Sequence, residues 1–128
     1  MARNLLDLHV RCAPSAPAIV RSAISDLDGV DAPVLEDAKL VASELVTNAV
    51  THSLCSEEEF LTVRIGRDGG VEISVLDPGR SARSAEIAHR AMGLGGLGLR
   101  VVAQLAETWG TKRRPDGYEV FAVLELAS

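Results

Sequence analysis

The chain predicts an α/β two-layer sandwich, a mixed and mostly antiparallel sheet carrying its helices on one face. Three observations point there. Two segments, "FLTVRIGRDGGVEISVLD" and "WGTKRRPDGYEVFAVLEL", each set a pair of extended runs around a Gly-containing turn, the signature of a hairpin. Long stretches of helical period stand apart from those hairpins. With 128 residues, 47% of them apolar, there is enough chain for one domain with a real core and too little for two.

The elements follow in order. "LLDLHVRC" alternates apolar and polar residues and opens the chain as a strand. "APSAPAIVRSAISDL" offers Ser15 as N-cap and Pro17 in the first turn, so a helix starts there. After the loop "GVDAP", a longer helix is predicted from about Ala32 to Ser53. The first hairpin turns at "RDGG". From Pro78 to Gly98 the chain is rich in Gly, Arg and small residues, with weak helical character around Ala82 to Arg90. "LGLRVVAQLAETW" reads as a third helix, and the last hairpin turns at "PDG". The order β-α-α-β-β-loop-α-β-β places the helices against one side of the sheet.

Composition excludes several classes. No apolar run approaches the roughly 20 residues that span a bilayer. "MARNLLDLHVRC" is too short and too broken by charge for a secretory signal. A net charge of −5 argues against direct nucleic-acid binding, which needs clustered cations. The basic run Lys112-Arg113-Arg114 reads as a solvated hairpin end. Cys12 and Cys55 fit no metal-ligand spacing and are expected as reduced, partly buried thiols of a cytoplasmic protein.

Three segments suggest chemistry. On the second helix, Ala38, Val41, Ala42, Leu45, Val46 and Ala49 form one apolar stripe at about 100° per residue. Glu44, Asn48 and His52 trail along its margin, at the rim of the core. Asn48 offers an uncharged oxygen to a hard cation such as Mg²⁺, and Glu44 can accept a proton. The plain alternative is a solvated helix edge. In "VEISVLDPG", Asp77 shares a sheet face by parity with Val71, Ile73 and Val75. A carboxylate ending a buried row needs hydrogen-bond donors, and the amino group of adenine is one; otherwise Asp77 simply nucleates the Asp-Pro-Gly turn. "GLGGLG", from Gly93 to Gly98, spells a dinucleotide fingerprint but lacks the strand before it and the βαβ unit around it. It reads instead as backbone amides approaching an anion at a helix start, or as a loop. Arg80, Arg83, His89 and Arg90 either reach phosphates or keep a lid soluble.

Taken together, "ELVTNAVTH", "DPG" and "GGLGL" resemble the N box and the two glycine boxes of the GHKL (Bergerat-fold) ATP-binding superfamily. They look most like its anti-sigma-factor serine/threonine kinase branch. "APSAPAIVRSAI" and "LAETWG" extend the resemblance over nearly the whole chain. It implies Asn48 as the Mg²⁺ ligand, Asp77 as the adenine-reading carboxylate and Gly79 beside the base. It also implies Gly96 and Gly98 along the phosphates, Leu99 and Arg100 at the helix entry, and Glu44 as the general base. The segment between Gly79 and Gly96 is similar to that branch's short ATP lid. ATP and Mg²⁺ are the implied cofactors. A sigma factor and a STAS-type antagonist are the implied partners, with a homodimer plausible through the sheets.

One departure stands out. Where the family closes with a strand like G-K-T-V-W, this chain reads "GYEVF", which puts Glu119 at the Thr position and Phe121 at the Trp. A Glu119 facing Asp77 would set two carboxylates together and weaken adenine binding; a Glu119 turned outward would not. Two functions follow: a Mg²⁺·ATP-dependent kinase acting on a protein antagonist, or a partner-binding module without turnover.

Overall fold

The computed structural model describes residues 3–51, 55–78 and 97–126. Its elements run β1 (Arg3–Arg11), α1 (Ala16–Ser25), α2 (Ala32–Thr51), β2 (Phe60–Arg67), β3 (Gly70–Asp77), α3 (Leu97–Leu105), β4 (Thr108–Arg114) and β5 (Gly117–Glu125). The weak helix expected at Ala82 to Arg90 lies outside the described residues.

The strands form one sheet in the order β1-β2-β3-β5-β4. All four pairings are antiparallel, so the sheet is more uniform than the mixed one expected. The reason lies in the last hairpin. β5 returns to pair with β3, and β4 is thereby pushed to the edge. Alternation then fixes the faces. Leu61, Val63 and Ile65 of β2, Val71, Ile73 and Val75 of β3, and Ala122 and Leu124 of β5 are all buried. Their neighbours in sequence point to a face that no described helix covers.

The helices supply the second layer. α1 packs on β1 and α2, α2 on β3 and β5, and α3 on α2 and β4. All six residues of the expected α2 stripe are buried. Ser15 stands at the N-cap of α1, with Pro17 in the first turn, but its hydroxyl makes no capping bond. The third helix is shorter than its periodicity predicts. It stops at Leu105 because the Glu107 amide turns to donate to Val123 O, 2.8 Å away, which hands the β-formers Thr108 and Trp109 to the sheet.

The cysteines correct an expectation. Cys12 and Cys55 are not free thiols but a disulfide, with Cα atoms 6.1 Å apart. The end of β1 and the segment after α2 reach the same corner, a distance within the range a disulfide bridges. The same corner is tied by the Cys12 amide donating to Glu59 O at 2.9 Å. With the thiols paired, free cysteines no longer argue for a cytoplasmic location. No helix among the described residues is long and apolar enough to cross a membrane.

Candidate functional site: a carboxylate at the end of β3 beside the α2 rim

Asp77 closes the buried row of β3 and is itself only 2% exposed. Parity put it there: Val71, Ile73, Val75 and Asp77 all face the helices. A buried carboxylate is costly unless it is compensated, and Asp77 is not without a partner. Beside it, the backbone is tight. A Cβ on Gly117 (φ +156°) would collide with the Asp77 carbonyl oxygen, so only glycine lets β5 lie against β3 here.

Glu44 and Asn48 hold the half-buried margin of α2, flanked by the buried Leu45 and Ala49. Asn48 Nδ2 is buried and has no hydrogen-bond partner. Leaving such a donor unsatisfied costs about 1–3 kcal/mol, so the position fits a ligand that brings oxygen atoms. A half-turn of the amide presents Oδ1 in its place, which suits a hard cation. Among the described residues no cluster of three His, Cys, Asp or Glu side chains could hold a metal.

The remaining expected residues divide. Gly98 and Leu99 fall in the first turn of α3, and Arg100 is exposed there. Gly79, Gly96, His52, Arg80, Arg83, His89 and Arg90 lie outside the described residues.

Glu119 turns outward. It pairs across the strands with Leu76, not Asp77, and so points to the uncovered face. There its Oε2 meets Arg114 Nη2 at 3.2 Å. The residue opposite Asp77 is Tyr118, half-buried on the helix-facing side. Its hydroxyl donates to Thr111 Oγ1 at 2.8 Å. Of the two orientations that the motif position left open for Glu119, the outward one is found. The two-residue turn at Pro115-Asp116, which pairs Arg114 with Gly117, begins β5 in the register that puts Tyr118 inward. A groove of about 450 Å³ lined by Arg3, Arg64, Arg67 and Glu72 sits toward the opposite, Gly70 end of β3 and contains none of these residues.

The described residues thus provide an inward carboxylate, a helix rim with an unsatisfied amide and a third helix packed on α2. The family model for the histidine kinase-like ATPase domain matches residues 10–124, and the chain belongs to that family. Its fold also matches the crystal structure of the RsbU and RsbW domains of Rv1364c from Mycobacterium tuberculosis. The TM-score is 0.64 at 21% identity, covering 96% of this chain and 33% of that one. This chain thus spans about a third of that protein's length. Among curated proteins no match is found.

Proposed function

We propose that the chain is a Mg²⁺·ATP-dependent serine/threonine protein kinase and anti-sigma factor that phosphorylates a STAS-type antagonist. The observation that carries this reading is the buried Asn48 Nδ2 with no hydrogen-bond partner, on the helix that resembles the N box, in a fold whose Asp77 is buried on the helix-facing side of the sheet. Its likeness to a chain containing an RsbW domain supports the same branch.

Each residue then has a defined task. Asp77 accepts a hydrogen bond from the amino group of the base. Asn48 would hold Mg²⁺ through Oδ1, and the cation when bound neutralises triphosphate charge. Backbone amides at the start of α3, with Gly96 and Gly98 before and within it, take the phosphate oxygens. Glu44 accepts the proton of the attacking hydroxyl, so positioning and electrostatics do most of the work. A sigma-factor target places the reaction in the cytoplasm. The second reading, a module without turnover, drew on Glu119 opposing Asp77, and Glu119 points the other way.

Calorimetric titration of Mg²⁺·ATP into wild type and Asp77→Asn is the test, followed by transfer of labelled phosphate to STAS-domain antagonists. Wild type should bind saturably, and Asp77→Asn should lose roughly tenfold or more, the worth of a hydrogen bond to a charged group. Glu44→Ala should keep ATP and partner binding while transfer falls about 10²–10⁴-fold. Equal or absent binding in wild type and Asp77→Asn defeats the nucleotide reading. Binding without transfer to any antagonist leaves the non-catalytic module.

A further inference from the structure

We infer that Tyr118 is a wall of the base pocket and decides, together with Asp77, which purine the site accepts. The inference rests on the nucleotide reading above and deepens it. Tyr118 lies directly across from Asp77 in the antiparallel register and on the same side of the sheet. Along β5 the helix-facing row is closed at Leu124 and Ala122, then half-open at Val120 and Tyr118. The row of β3 stays buried to its end. The helix layer therefore thins over β5 just where the carboxylate stands, and the side chains bordering that thinning are an aromatic ring, a valine and Thr111. Flat apolar walls beside one acceptor are what a purine base requires.

The tyrosine hydroxyl does not compete for the ligand as a donor, because it donates to Thr111 Oγ1 at 2.8 Å. That bond ties the ring toward β4, with the half-buried ring packed at the edge of the core. Asp77 alone cannot discriminate between purines. A carboxylate can accept from the 6-amino group of adenine and also from the N1–H and 2-amino group of guanine. Which edge arrives is set by how far and at what angle the ring enters, and Tyr118, held by Thr111, fixes that depth.

Tyr118 is the one tyrosine of the chain, so protein carrying ¹³C-labelled tyrosine gives a single set of ring signals. Titration with Mg²⁺·ATP should move them, and titration with Mg²⁺·tripolyphosphate should not, since the base and not the phosphates meets the ring. In parallel, dissociation constants for ATP and GTP are measured on wild type, Tyr118→Phe and Tyr118→Ala, each checked for folding by circular dichroism. Tyr118→Phe should keep the ATP:GTP preference. Tyr118→Ala should lose roughly tenfold in ATP affinity, the scale of one lost base–aromatic contact, and narrow the preference by a similar factor. Calorimetric ATP binding with unmoved ring signals overturns the inference while sparing the nucleotide reading, as does an unchanged preference in a folded Tyr118→Ala. Absence of ATP binding by wild type overturns both.

Discussion

On one face of the sheet, β2 and β3 carry buried apolar side chains until Asp77 ends the row; on the other, charged and aromatic side chains meet in pairs among smaller residues such as Thr62 and Ser74. Arg11 lies over the Phe60 ring at 5.2 Å and Lys112 over Phe121 at 4.8 Å. Asp7 meets Arg64 at 3.4 Å, and Glu119 meets Arg114 at 3.2 Å. The difference teaches what parity is worth. Asp77 and Glu119 sit one residue out of register on adjacent strands. One carboxylate is thereby driven into the helix layer, where it must be satisfied, and the other to the opposite face, where it stays 12% exposed and meets the Arg114 guanidinium.

The largest expected effect concerns how firmly the helix layer is fixed to the sheet. The Cys12–Cys55 bond closes a segment of 43 residues that contains all of α1 and α2. Loop-closure entropy for that length amounts to about 4 kcal/mol. Cys12→Ser with Cys55→Ser should lower unfolding free energy by about that amount in urea titrations. A midpoint unchanged from the oxidised wild type would show that the helix layer docks without the crosslink. Next comes a direct comparison of the two faces at neighbouring residues. Ile73 is fully buried and Ser74 faces the open side. Ile73→Ala should cost about 3 kcal/mol, through lost burial and a residual cavity, and Ser74→Ala within about 0.5 kcal/mol. Equal losses at both positions would mean the open face is covered in solution.

Much of this was legible in the sequence, and the reasons are local. The hairpins, the α2 stripe and the inward parity of Asp77 follow from periods of 2 and 3.6, which need no tertiary information. The resemblance to the GHKL superfamily is matched by the family to which the chain belongs. What failed depended on long-range register. The disulfide joins residues 43 apart, and nothing in their spacing announces it. The end of α3 is decided by pairing of Glu107 with Val123, sixteen residues on (123 − 107). Glu119 was matched by motif position, yet a single step of register between β3 and β5 exchanges it with Tyr118.

That exchange makes Glu119 the sharpest small test. Its partner Arg114 is 45% exposed and Glu119 itself 12%, so solvent screens the pair from one side and it is worth about 1 kcal/mol. Glu119→Gln removes the charge while keeping the shape and a hydrogen-bonding amide. If the two faces act independently, its unfolding free energy should fall by less than about 1 kcal/mol, and by less still at high salt, where surface pairs fade. Its affinity for Mg²⁺·ATP should match wild type within about twofold, because the side chain and Asp77 are separated by the sheet itself. A tighter nucleotide complex in Glu119→Gln would instead mean that the carboxylate reaches Asp77 through the strands' field. The two faces would then be electrostatically coupled, and the departure from the family's closing strand would carry a functional cost after all.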